Sequence, residues 1–185
     1  MKKILAIVLA WMACSIRALP QTTPTDHFAA AQVLEERVSA AEKEIVPAAE
    51  AMPENKYSFA PTDGEFKGVR TFGEQVKHLA AANYQLGARI LGEAPAHGER
   101  DESAPEWVRS KQEIVQYVKG SFAILHRAIA SIHDENLTDP ISGTKGTWQR
   151  TRLGLAVDAI AHSYDHYGQM VEYLRMNGIV PPASR

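Results

Sequence analysis

Apolar side chains recur every three or four residues in four long segments of the chain. The segments are Thr25 to about Met52, Thr71 to about Leu91, Trp107 to about Ile132 and Thr151 to Asn177. This spacing places the apolar side chains on one face of an α-helix. Stretches rich in proline and glycine separate the segments, and nothing between them indicates a series of strands. The pattern predicts an all-α protein built as a four-helix bundle.

Several residues mark the expected ends and irregularities of these helices. Thr25 or Asp26 can cap the first helix, because a side-chain oxygen there accepts a free amide hydrogen of the first turn. Pro47 falls inside the same segment and predicts a kink. Gly178 can adopt the left-handed conformation that ends the fourth helix, and Pro181 prevents its continuation.

The N-terminus has the organisation of a secretory signal peptide. Two lysines precede an unbroken apolar run of 11 residues, from Ile4 to Cys14, and a short stretch then ends at the small residue Ala18. The run is shorter than the roughly 20 apolar residues that a membrane-spanning helix needs. We therefore expect residues 1–18 to be a signal peptide, residues 25–184 to form the helical domain, and the protein to be exported to the periplasm or secreted.

The single cysteine, Cys14, leaves a second possibility for localisation. It lies at the end of the apolar run and follows the small residue Ala13, so a lipoprotein anchored through a lipid on Cys14 is the alternative to simple cleavage. One cysteine also excludes a disulfide within the chain, an iron–sulfur cluster and a cysteine-based zinc finger. Any bound metal must be held by histidines and carboxylates.

The balance of charge argues against nucleic acid as a partner. The chain has 20 basic and 22 acidic residues, a formal net charge of −2, and the basic residues are scattered along it. Nucleic-acid binding depends on clustered lysine and arginine that neutralise phosphates. We expect no nucleic-acid partner.

The candidate chemistry lies in a pair of histidines on the fourth helix. His162 and His166 are four residues apart, so both rings project from one face and can bind a single metal ion. The motif is not that of the HExxH metalloproteases, because Ser163 stands where their glutamate is required. The pair lies at the flank of the apolar arc, which suits a metal site open to solvent. Two half-buried histidines without a metal are the alternative.

A third histidine, His78, lies in the middle of the second helix and is the candidate third ligand. Three histidines would leave a coordination position for water or substrate. Gln75 and Tyr173 are the best placed to support the ligands, whereas Asp165 points to another side of its helix and is a poorer choice. The other four histidines are not expected to be ligands. His27 and His97 are expected to be exposed or in loops, and His126 and His133 are expected to be ordinary residues of the third helix.

Two stretches resemble a known family, namely VRTFGEQVKHLAAANYQLGARILGE and AHSYDHYGQMVEYLRMNGIVPP. With them the chain resembles the DinB-like family of bacterial proteins, and its ending is similar to an exported subgroup. The resemblance implies a four-helix bundle with a long crossover between helices two and three, often a homodimer. It also implies that His78, His162 and His166 hold a divalent metal ion, for which zinc or nickel is expected.

Two functions remain open at this point. In an enzyme, a zinc ion held by three neutral imidazoles can lower the pKa of a bound water toward about 7, or lower that of a substrate thiol. This favours a metal-dependent hydrolase or a thiol transferase acting on an unknown small molecule, with no catalytic residue assigned. Some relatives are thiol-dependent transferases or isomerases that use cytosolic thiols, and export counts against such a cosubstrate here. The alternative is a non-catalytic bundle that binds a metal or another ligand.

Overall fold

Four long helices make up most of the chain in the computed structural model, which describes residues 29–62, 64, 67–100, 102–141 and 151–185. They are α1 (Ala30–Ala51), α2 (Phe72–Leu91), α3 (Lys111–Ala130) and α4 (Arg152–Met176). Short 3₁₀ turns follow α1 and α4, and no strand occurs in the described ranges. The prediction of an all-α fold is confirmed for that part of the chain. The signal peptide expected at residues 1–18 and His27 lie outside it.

The core forms where the apolar faces of the helices meet. Each of α1 and α2 packs against both α3 and α4. The large side chains that are fully removed from solvent come from all four helices, for example Ile45, Leu79, Phe122 and Leu174. Each such burial stabilises the fold by about 1.5–3 kcal/mol. The periodicity identified the buried faces of α1, α2 and α3. On α4 the buried face is displaced from the predicted arc: Val157 is 51% exposed, and His166, expected at the flank, is 4% exposed. The packing of α2 on α4 positions the histidines described below.

The start of α3 differs from the expectation. The apolar spacing predicts a helix from Trp107, but α3 begins at Lys111. The hydroxyl of Ser110 accepts the backbone N–H of Glu113, and the Glu113 carboxylate accepts the backbone N–H of Ser110 at 2.8 Å. This capping box fixes Ser110 in an extended conformation, so the residues before it belong to the connection from α2.

Helix α1 also begins later than the spacing predicts, at Ala30 after the extended Ala29 and not at Thr25, whereas the ends of α2 and α4 follow the sequence more closely. Gly178 has a φ of 72° just after α4, as predicted, and the N–H of Ile179 donates to the carbonyl of Leu174 at 2.9 Å. Helix α1 continues through Pro47 to Ala51, and the kink there stays a prediction. The caps proposed at residues 25 and 26 lie outside the described residues. None of the helices in the described ranges has the length and apolar character that crossing a membrane requires.

His126, which the sequence predicts to be an ordinary residue of the third helix, contacts two carboxylates of α1. Its Nδ1 lies 2.6 Å from a carboxylate oxygen of Glu35, and its Nε2 lies 3.0 Å from one of Glu42. Both glutamates belong to α1, so the ring joins α3 to α1. Partial burial opposes a charge on the ring, but hydrogen bonds and attraction from the two carboxylates outweigh it and raise the pKa of His126. His133, also assigned to the third helix, lies beyond its end in a turn.

The His126 contact predicts a stability that depends on pH. Because the pKa in the folded state is raised above the unfolded value of about 6.5, its contribution is complete below that value and is lost as the pH rises through the folded pKa. Replacing His126 by Asn should therefore lower the free energy of unfolding by about 0.5–1 kcal/mol near pH 5.5 and by less near pH 8.5. Urea unfolding at both pH values measures this.

His133→Asn is the matched control, since this exposed histidine has no carboxylate at either nitrogen among the described contacts. Its effect should be the same at both pH values. An equal loss of stability at both pH values in His126→Asn would show that the ring acts only by packing.

Candidate metal centre

Three histidines from two helices meet at the interface between α2 and α4. One nitrogen from each of His78, His162 and His166 lies within 4.8 Å of the corresponding atoms of the other two. The ring centroids are 4.4 to 5.2 Å apart. The structure thus brings together the histidine of α2 and the pair of α4, which the sequence separates by more than 80 residues. None of the other described histidines joins this cluster.

A neighbouring acceptor decides which nitrogen of His166 carries a proton. Both nitrogens of His78 lie near oxygens of Glu102, Nδ1 at 3.2 Å from its backbone carbonyl and Nε2 at 3.2 Å from its carboxylate, so these contacts do not select a tautomer of His78. Nδ1 of His166 lies 2.8 Å from the amide oxygen of Gln75. Because that oxygen only accepts, Nδ1 of His166 donates its hydrogen and Nε2 keeps its lone pair. This is the arrangement in which Nε2 can bind a metal.

His162 differs from the other two rings. Its Nε2 lies 3.1 Å from Nε2 of His166, while its Nδ1 is buried and has no hydrogen-bond partner among the described residues. Because His166 carries its hydrogen on Nδ1, Nε2 of His162 is the donor in this contact, and a metal ion bound there would displace that hydrogen. Metal–nitrogen bonds of about 2.0–2.1 Å place two nitrogen ligands of one ion roughly 3.0–3.4 Å apart. The spacing of the two Nε2 atoms fits joint coordination.

The electrostatics of the cluster keep its rings neutral. Burial lowers the pKa of all three histidines, and it is the largest cause in each case. The other two imidazoles add to the effect at His166, whose pKa falls to about 4. The positive charge of Arg70 lowers all three further. Neutral imidazoles are the form that a metal ion requires, so the three histidines are positioned to bind one.

Glu102 is a site residue that the sequence analysis missed. It lies in the connection between α2 and α3, and besides its carbonyl contact its carboxylate lies 3.2 Å from Nε2 of His78. Its φ is 55°, which costs a residue other than glycine about 1 kcal/mol or more. Helical periodicity carries no information about such a loop residue. The two contacts of Glu102 with His78, one from its backbone carbonyl and one from its carboxylate, are shown only by the folded structure.

A cleft of about 410 Å³ opens onto the His78 side of the cluster. Arg70, Lys77 and Glu102 line it with His78, and the rest of its wall comes from the turn before α2, from Glu74 in the first turn of α2, and from the residues after Glu102. The volume falls within the usual range of small-molecule sites, about 300–1,000 Å³. A small ligand in the cleft would thus contact His78, the member of the cluster that lines it.

The two supporting residues expected from the sequence have different positions. Gln75 contacts a ligand directly, through its hydrogen bond to His166. Tyr173 instead donates its hydroxyl hydrogen to the carbonyl of Arg70 at 3.1 Å, and its ring packs against Phe59. Tyr173 therefore ties the segment before α2 to α4, and its contact with the cluster is indirect.

Comparison with known proteins agrees with the geometry. A model of the DinB superfamily matches residues 37–170, which include His78, His162 and His166. No curated protein matches the chain. Because the family match covers well over half of the sequence and spans both helices of the histidine cluster, the chain belongs to the DinB superfamily.

Proposed function

We propose that this is an exported protein that binds one divalent metal ion per chain, zinc or nickel, through His78, His162 and His166. The observation that carries the proposal is the meeting of three neutral imidazoles, with nitrogens within 4.8 Å of one another, beside an accessible cleft. Nδ1 of His166 already donates to the Gln75 oxygen, which leaves its Nε2 for the ion.

The arrangement favours an enzyme, either a hydrolase or a thiol transferase acting on a small molecule. A bound divalent ion would supply Lewis-acid chemistry that activates a water or a thiol. The residues of the chain contribute orientation and charge: Gln75 holds the ring of His166, and the carboxylate of Glu102 faces the cleft beside His78. A carboxylate there can orient a substrate or accept its proton.

A non-catalytic metal- or ligand-binding bundle is the second candidate. The number of ligands distinguishes the two, because structural zinc sites have four protein ligands. Within the described ranges the cluster contains three. Azide added to the Co²⁺-loaded protein tests this: a changed visible spectrum indicates an open coordination position, and an unchanged one favours the closed, structural site.

Replacing any one of the three histidines by alanine should abolish stoichiometric metal binding. The control variants His126→Ala and His133→Ala should keep one ion per chain, because both residues lie outside the cluster. Metal content at equal protein concentration, on protein purified without a histidine tag, measures this. Since the pKa of each cluster histidine is lowered, affinity should persist below about pH 6.5 and fall only at more acidic pH.

Full metal content in both His162→Ala and His166→Ala would mean that the motif is only part of the helix surface. The folded state should survive each substitution, because a domain of this size buries enough apolar surface without a metal. Circular dichroism of each variant separates loss of metal from loss of structure.

Glu102→Gln should weaken metal binding by about tenfold, the lower end of the effect of residues that orient metal ligands. The substitution removes the negative charge next to Nε2 of His78 and leaves the backbone carbonyl at Nδ1 in place. Glu106→Gln, at an exposed position of the same connection, is the control and should bind normally. Equal affinity of the two variants would show that the Glu102 carboxylate has no part in the site.

Export is the third component of the proposal, and it rests on residues 1–18 of the sequence. The mature chain should begin near Leu19, which the intact mass of the protein in the extracytoplasmic fraction measures. A lipid adduct on Cys14 would indicate the lipoprotein alternative, and a cytoplasmic chain that keeps Met1 would contradict export. The homodimer that the family resemblance implies can be tested on the same material by sedimentation.

A further inference from the structure

A chain of three hydrogen bonds connects the most buried histidine of the cluster to the protein surface. Nδ1 of His166 donates to Gln75 Oε1 at 2.8 Å, Gln75 Nε2 donates to Gln169 Oε1 at 2.7 Å, and Gln169 Nε2 donates to Asp165 Oδ2 at 3.1 Å. The chain crosses from α4 to α2 and returns. His166 and Gln75 are 4% and 3% exposed, whereas Asp165 is exposed.

The direction of this chain is set at its exposed end. A carboxylate can only accept hydrogen bonds, so Gln169 must present its NH₂ group to Asp165 and its oxygen to Gln75. Gln75 must then present its own NH₂ group to Gln169 and its oxygen to His166. An oxygen at Nδ1 requires a hydrogen there, and the other ring nitrogen of a neutral imidazole has none. The acceptor at the surface thus determines which nitrogen of a buried ring is free.

The reverse direction would produce a ring that cannot serve as a ligand. If both amides were turned over, the NH₂ group of Gln75 would donate to Nδ1 of His166, and the proton would move to Nε2. Nε2 is the nitrogen that faces His162 across 3.1 Å. That arrangement would also place the Gln169 oxygen against the Asp165 carboxylate, where two acceptors repel each other. The carboxylate is what makes the two directions unequal in energy.

We propose that Asp165 is a positioning residue which, through Gln169 and Gln75, holds His166 in the tautomer whose Nε2 is free to bind a metal ion. The purpose of this relay rests on the proposed metal binding, but the tautomer is a property of the metal-free chain and can be measured there. Metal-ligating histidines commonly donate their second N–H to a carboxylate directly. Here two neutral amides stand between the carboxylate and the ring.

The two amides let the Asp165 carboxylate influence the His166 ring while the carboxylate stays at the protein surface. A carboxylate buried beside the ring would be costly to desolvate. In this chain Asp165 stays in solvent, and burial together with the two neighbouring histidines keeps the pKa of His166 low. The relay therefore fixes the tautomer while the ring stays neutral.

The experiment compares the full-length metal-free protein with Asp165→Asn and with the control Glu172→Gln. Asparagine has nearly the shape of aspartate but can donate as well as accept, so both directions of the chain become possible. Glu172 is an exposed carboxylate on the same helix that pairs with Arg175. Long-range ¹H–¹⁵N NMR spectra of histidine-labelled protein at neutral pH report which nitrogen of each ring carries the proton.

We expect wild type and Glu172→Gln to show His166 protonated at Nδ1 alone, and Asp165→Asn to show an added population protonated at Nε2. Zn²⁺ affinity, measured by competition with a chromophoric chelator, should fall by about tenfold in Asp165→Asn only. An Asp165→Asn spectrum identical to that of wild type would overturn the proposal. Failure of the wild-type protein to bind Zn²⁺ would instead contradict the proposed function, whatever the tautomer of His166.

Discussion

The packing of α2 against α4 is the contact on which the candidate site depends. It brings His78 to the pair on α4, and it allows Gln75, one turn before His78, to reach His166. A single helix could present the pair but not the third imidazole, nor an acceptor for Nδ1 of His166. The apolar faces that drive this packing, with Leu79 and Leu174 fully buried, thus also assemble the polar cluster.

The sequence predicts the elements of this fold better than their ends. Period and composition identify four helices and the buried faces of the first three, because apolar burial is the same physical requirement along every helix. On α4 the buried face includes polar residues such as Ser163 and His166, which the apolar period does not detect. The start of α3 was misplaced because Val108 is buried before the helix begins, while Ser110 and Glu113 fix the true start. An S-x-x-E capping box is visible in a sequence, so this boundary was predictable from a signal that the apolar spacing obscured.

The sequence likewise predicts some residues of the candidate site and not others. The pair at 162 and 166 is visible from spacing alone, and His78 was carried by its place on the flank of a helix and by the family resemblance. Glu102 was not predictable, because its role comes from a loop conformation with a φ of 55° that brings its carbonyl and carboxylate to one ring. For Asp165 the helical spacing indicates only that it points away from the pair, because a helical wheel does not show contacts made through Gln169 and Gln75.

Two histidines of this chain show how the partner decides the state of an imidazole. His126 has a carboxylate at each nitrogen, must donate from both, and has a raised pKa. His166 has an amide oxygen at one nitrogen and an imidazole at the other, is more deeply buried, and has a pKa of about 4. The first ring is suited to holding two helices together by charge, and the second to keeping a lone pair for a cation. Two amides separate the His166 ring from the Asp165 carboxylate, so that the carboxylate stays in solvent while Nδ1 of the buried ring has an acceptor.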